Sequence, residues 1–133
     1  IPSILERASL NSVADSFFKF DYMEESDEWL NPLDEAIPDA SVELITLNQG
    51  LHHFPPSRIL PFLRMILKKL IPCGLFLLRE HDMSDEEVPI QMLDLAHSVF
   101  NALTGVEEDE EAAEIRAFRK VSEWKNILTS VGF

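Results

Sequence analysis

Residues 42–82 read VELITLNQGLHHFPPSRILPFLRMILKKLIPCGLFLLREHD, and this stretch decides the fold. Residues 42–47 are apolar apart from Glu43 and Thr46 and are bounded by turn formers. Such a run fits a strand buried on both faces, as parallel sheets require. Pro55 and Pro56 break the chain, and Ser57 is placed to cap the helix that follows. Over residues 58–71 the polar side chains Arg58, Arg64, Lys68 and Lys69 share one narrow face, while Ile59, Leu60, Leu63, Ile66, Leu67 and Leu70 cover the rest. Pro61 falls in the first turn, where its missing N–H costs nothing. Pro72-Cys73-Gly74 is a stop signal, with Gly74 expected at positive φ, and residues 75–78 form the next buried strand. The unit is therefore βαβ. Polar residues crowd after each strand: Asn48, Gln49, His52 and His53 after the first, Glu80, His81 and Asp82 after the second. Open α/β sheets bind ligands just beyond the carboxyl ends of their strands.

Outward from this unit the signals are weaker. Residues 1–14 have helical spacing and read as a cut edge of something that began upstream. Residues 16–23 (SFFKFDYM) are an aromatic strand candidate, with Phe17, Phe18 and Phe20 as core. A short helical turn fits residues 32–37. Ser84 and Glu87 have capping-box spacing for a helix over about 86–103 that ends before Gly105. The acidic run EEDEEAAEI opens a helix continuing to residue 119, and Ser122 is placed to cap a last one over 122–132 with Trp124, Ile127, Leu128 and Val131 inward.

Length and composition bound the function. The chain has 133 residues, 46% of them hydrophobic, which suits one domain with one core. A formal net charge of -13 argues against a nucleic-acid surface and against adsorption to anionic lipid. One cysteine, Cys73, excludes an internal disulfide and a cysteine-based zinc cluster, and fits a reducing, cytoplasmic setting. No apolar run approaches the ~20 residues of a membrane helix, so a soluble, acidic protein is expected. There is no Gly-x-Ser-x-Gly turn, P-loop or CxxC.

Several stretches in order resemble a class I S-adenosylmethionine-dependent methyltransferase. KFDYMEES is similar to the family's third strand and its adenine-binding end, with Asp21 and Tyr22 at the acidic and apolar places. VELITLNQGLHHF is similar to the fourth strand and its His-bearing loop, with Glu43 where Asp is commoner. KKLIPCGLFLL is similar to the helix end and turn before the fifth strand, with Cys73 replacing a Gly. WKNILTSVGF is similar to the family's closing Trp…Leu…Gly-Phe segment. The resemblance covers most of 16–83 and, less specifically, 122–133. It implies a Rossmann-like parallel sheet flanked by helices, with residues 1–133 as a partial methyltransferase domain. It also implies methyl transfer from S-adenosylmethionine to a small-molecule acceptor, with Asp21, Tyr22, Asn48, Gln49 and Gly50 on the cofactor side. The family's Gly-rich loop has no counterpart, since the four glycines are isolated. Two readings follow: a catalytic domain whose first strands lie upstream, or a non-catalytic Rossmann-like interaction module.

Methyl transfer needs in-line positioning and removal of the acceptor's proton. His53 is the expected base, with His52 the better candidate for packing and His81 and Glu80 as alternatives. His97 and Asn101, four apart, share a helix face that either lines the acceptor site or forms a satisfied pair. A metal set of His52 and His53 with Glu80, His81 and Asp82 is conceivable. Adjacent histidines on a short loop rarely point together, and no metal is expected.

Overall fold

The computed structural model describes residues 21–83 and 90–133. Helix α1 spans Asn31–Ala36, strand β1 Val42–Asn48, and a 3-10 turn Leu51–His53. Helix α2 spans Pro56–Lys69, strand β2 Leu70–Arg79, α3 Ile90–Thr104, α4 Glu108–Ala113 and α5 Val121–Val131. The strands pair in parallel, in register from Leu44 opposite Leu75 to Asn48 opposite Arg79. Parallel neighbours need a long crossover, and α2 supplies it. The expected helix over 1–14, the strand over 16–20 with its three phenylalanines, and the Ser84–Glu87 capping box lie outside the described residues. No helix among the described residues is long and apolar enough to cross a membrane.

The apolar stripe of α2 fixes the core. Ile59, Phe62, Leu63 and Ile66 are buried against Leu51, Phe54, Trp29, Leu33 and Trp124. Ile45, Leu47, Phe76 and Leu78 add one face of the sheet, and Ile127, Leu128 and Val131 add the inner face of α5. Leu44, Leu75 and Leu77 point the other way, Leu75 being 68% exposed. Burial on both faces was the expectation, but among the described residues only one face is covered. Side chains alternate along a strand, and α2 and α5 join a single core on one side.

At several points the local structure departs from the sequence pattern. Pro55, not Ser57, is the N-cap of α2; two consecutive prolines preset the entry, Ser57 falls inside the first turn, and Pro61 sits inside the helix beyond its first turn, where it removes one backbone hydrogen bond. Lys69, expected on the solvent face, is 1% exposed. The segment carrying α1 folds over the end of α2, so that the Lys69 ammonium meets the Asp34 carboxylate and lies 2.7 Å from Asp39 Oδ1. Leu70 and Ile71 open β2 instead of closing the helix, and residues 71–74 bulge opposite Glu43. The left-handed residue of that bulge is Cys73, at φ 65°, not Gly74. Gly74 is required for another reason: a Cβ there would stand 3.0 Å from the Ile71 carbonyl oxygen and 3.2 Å from that of Val42.

Asp21 to Met23 form a turn, not a strand. Helix α4 stops at Ala113 rather than reaching residue 119, because the chain beyond it is claimed by other partners. Glu114 and Arg116 bond to side chains and backbone of α3, and the Ala117 N–H donates to the His52 carbonyl at 2.7 Å. Helix α5 is capped from elsewhere than Ser122, which lies in its first turn. The Asp82 carboxylate accepts the Val121 N–H at 3.0 Å, and Glu123 accepts the Lys120 N–H at 2.9 Å.

Candidate functional site

The paired strand ends place Gln49 and Glu80 side by side, and the Gln49 N–H donates to the Arg79 carbonyl at 2.7 Å. Glu80 then reaches across to the loop after β1. Its Oε1 accepts the N–H groups of Gly50 (2.9 Å) and Leu51 (2.6 Å), and its Oε2 lies 2.6 Å from His52 Nδ1. The side chain is 3% exposed. Burial pushes its pKa up, but the hydrogen bond and charge of His52 and the two N–H donors outweigh it, and the net shift is downward. Glu80 is therefore a carboxylate that fixes the 3-10 turn and one histidine together.

His52 is 1% exposed and stacks on Phe118 with ring centroids 5.1 Å apart. Its Nε2 faces His97 Nε2 at 3.1 Å, and His97 Nδ1 lies 3.0 Å from the Leu93 carbonyl oxygen. The His81 ring stands 5.1 Å from that of His52 and 5.3 Å from that of His97, with its Nε2 3.4 Å from Gln49 Nε2. Burial lowers the His81 pKa, as do the neighbouring imidazoles, against the pull of Glu80. One nitrogen from each of His52, His81 and His97 falls within 4.8 Å of the other two, a spacing within reach of a metal ion.

His53 turns away from this group. Its Nδ1 lies 3.0 Å from the Ile115 carbonyl oxygen and 3.2 Å from Glu114 Oε1. Burial and then the His52 charge lower its pKa, opposed by the Ile115 carbonyl and Glu114. The ring borders two adjoining clefts. One, of about 450 Å³, is lined by Asn48, Gln49, His81, His97, Phe100 and Asn101 among others. The other, of about 620 Å³, has Tyr22, Met23 and Ile115 in its wall. The smaller cleft holds most of the polar groups and opens beyond the carboxyl ends of both strands, where α/β sheets bind ligands.

Helix α3 presents its polar side to this site. Leu95, Val99, Phe100 and Leu103 are each at least half exposed, while Asn101 is buried. Arg116 ties the helix down, donating to Ser98 Oγ and the Asp94 carbonyl at 3.1 Å each and to Glu111 and Glu114 at 2.6 Å each. Hydrogen bonds from Ser98, Asn101 and Arg116 hold the Glu111 carboxyl at about 2.

The residues expected on the cofactor side separate. Asn48 and Gln49 line the smaller cleft, and Tyr22 borders the larger one while stacking on Phe54 at 4.6 Å. Asp21 is exposed and accepts the Met23 N–H at 2.8 Å. Gly50 faces Leu47, and its N–H is taken by Glu80. Of the residues expected to carry chemistry, Glu80, His52 and His81 converge and His53 stands beside them, whereas Asp82 is used as a helix cap. Phe118 and the Glu111–Glu114–Arg116 network carried no sequence signal of their own. The His97–Asn101 spacing did, together with apolar residues on the opposite side of the same helix. No family model, curated protein or solved structure matches this chain.

Proposed function

We propose that the chain carries the acceptor side of an S-adenosylmethionine-dependent methyl-transfer site on a Rossmann-like sheet, acting on a small molecule. The observation that carries this reading is His53. Its Nδ1 is committed as a donor to the Ile115 carbonyl, which leaves Nε2 as a lone pair without a hydrogen-bond partner among the described residues, on a ring that borders a cleft of small-molecule size. An imidazole so held accepts a proton from an acceptor hydroxyl or amine at Nε2. Asn48 and Gln49 supply polar contacts in the same cleft, and Asn101 a further one. The cofactor, when bound, supplies an already activated methyl group. Asn48, Gln49 and Tyr22 suit it by position. Asp21 and Gly50 do not, because Asp21 closes its own turn and the Gly50 corner is filled by Leu47. That partial fit favours, as the second reading, a non-catalytic Rossmann-like interaction module.

Titration of S-adenosylhomocysteine to millimolar concentration, followed by amide NMR shifts, tests the proposal. Shifts at Tyr22, Asn48 and Gln49 are expected. In methyl-transfer assays His53→Ala should lower turnover about 100-fold while those shifts persist. Absence of any shift at these three residues would leave the interaction-module reading.

A further inference from the structure

The geometry points to a transition-metal site formed by His52, His81 and His97, with Glu80 as the outer carboxylate that orients it. Glu80 is a carboxylate and Leu93 offers a carbonyl, and both only accept. His52 Nδ1 and His97 Nδ1 must each carry a proton to donate to them. In neutral imidazoles this leaves both Nε2 atoms as lone pairs, yet they face each other at 3.1 Å. Unless one of the rings binds a second proton, no hydrogen lies between them, and two lone pairs at that distance repel. A cation between the rings removes the conflict.

The spacing suits a metal ion. Two imidazole ligands at ordinary zinc–nitrogen distances on a tetrahedral centre stand about 3.3 Å apart, close to what these rings already have. His81 completes the group, since the donor atoms of all three residues lie within 4.8 Å. The Gln49 amide nitrogen, which donates, lies 3.4 Å from His81 Nε2, so that nitrogen also presents a lone pair and is held only weakly. The surroundings are those of a metal centre. Metal-binding histidines donate their second N–H to a carboxylate or carbonyl, as His52 and His97 do here. Phe118 stacks on His52 and meets His81 and His97 edge-on, with ring centroids 5.1–5.5 Å apart, walling the group on an apolar side.

Three imidazoles with no thiolate select zinc, cobalt, nickel or copper over magnesium or calcium. His81 and His97 also line the 450 Å³ cleft, so a fourth coordination position opens toward a water or a ligand oxygen. This set exchanges His53 and Asp82 of the sequence-based alternative for His97. It does not depend on methyl transfer.

The test is titration of the whole chain with Co²⁺ in chelator-free buffer, followed by visible absorption, with Zn²⁺ as competitor. One equivalent should give an intense low-symmetry band that Zn²⁺ abolishes. His81→Ala and His97→Ala should each lose it, with folding checked by circular dichroism, while His53→Ala keeps it. Glu80→Gln gives an independent reading. Its amide nitrogen opposite His52 Nδ1 moves the ring proton to Nε2 and should weaken metal binding by about 10- to 100-fold without unfolding the chain. A band that survives in both histidine variants, or no band in the parent, overturns the site and leaves a proton shared between His52 and His97.

Discussion

Glu80→Ala removes three acceptor contacts at once, and the structure sets the size of the loss. The Leu51 N–H and His52 Nδ1–H are left in surroundings where these residues are 0% and 1% exposed, so water does not replace the carboxylate. A buried donor without a partner costs about 1–3 kcal/mol, and the two together give about 3–4 kcal/mol if the Gly50 N–H relaxes toward solvent. For a domain of this size that is a fall in Tm of roughly 10 °C. Glu80→Gln separates hydrogen bonding from charge. Its carbonyl oxygen still accepts from Gly50 and Leu51, while its amide nitrogen faces His52 Nδ1. The ring then carries its proton on Nε2 and donates it to His97, so every group is satisfied. The Gln variant should stay within about 1.5 kcal/mol of the parent. Urea denaturation followed by the fluorescence of the buried Trp29 and Trp124 measures both. An Ala variant within 1 kcal/mol of the parent, or a Gln variant as unstable as Ala, would refute the role given to Glu80.

Two further outcomes follow from the local geometry. The Glu111 carboxyl titrates at about 2 in the folded chain instead of at the ordinary 4.5. Its stabilising effect is complete above the higher value and is lost as pH falls from there through the lower one, so Glu111→Gln should flatten the dependence of Tm on pH in that window. Equal slopes for the two proteins would show that Ser98, Asn101 and Arg116 do not hold it. At the β2 bulge, Gly74→Ala puts a methyl 3.0 Å from the Ile71 carbonyl oxygen and should destabilise by about 1–2 kcal/mol. Cys73→Gly relieves a left-handed side chain and should stabilise by up to ~1 kcal/mol, and thermal melts giving the opposite order would mean the bulge is misassigned.

The strand–helix–strand unit was legible because each of its parts is decided by neighbours in sequence. The apolar run of β1 and the apolar stripe of α2 need only local periodicity, as the stop at Gly105 after α3 needs only turn chemistry. Lys69 shows where that information ends. Its position on the helix wheel is polar and exposed, and only the return of Asp34 and Asp39 from an earlier segment makes it a buried ion pair. Cys73 and Gly74 show the same limit at a single turn. The residue pair was legible as a tight connection, but not that Cys73 takes the positive φ while the carbonyls of Ile71 and Val42 crowd Gly74, one of them from the neighbouring strand.

The histidines show the same limit. His52 and His53 are adjacent and chemically identical, and the division of roles expected for them, His53 as base and His52 as packing, has only their place before the Pro-Pro break behind it. They are told apart by partners at long range: Glu80, 28 residues away, and His97, 45 residues away, for the first, and the Ile115 carbonyl for the second. The three residues after Arg79 diverge for the same reason, Glu80 turning inward to the loop, His81 to the cleft and Asp82 to the start of α5. Helix α3 offers a cue that does survive in sequence. An amphipathic helix normally buries its apolar side. Here His97, Ser98 and Asn101 face inward while Leu95, Val99 and Leu103 lie outside. Burying polar groups is costly unless each finds a partner, and Arg116, Glu111 and Glu114 provide those partners at the expense of extending α4. The histidine of that inward-facing polar side, His97, is the one that meets His52.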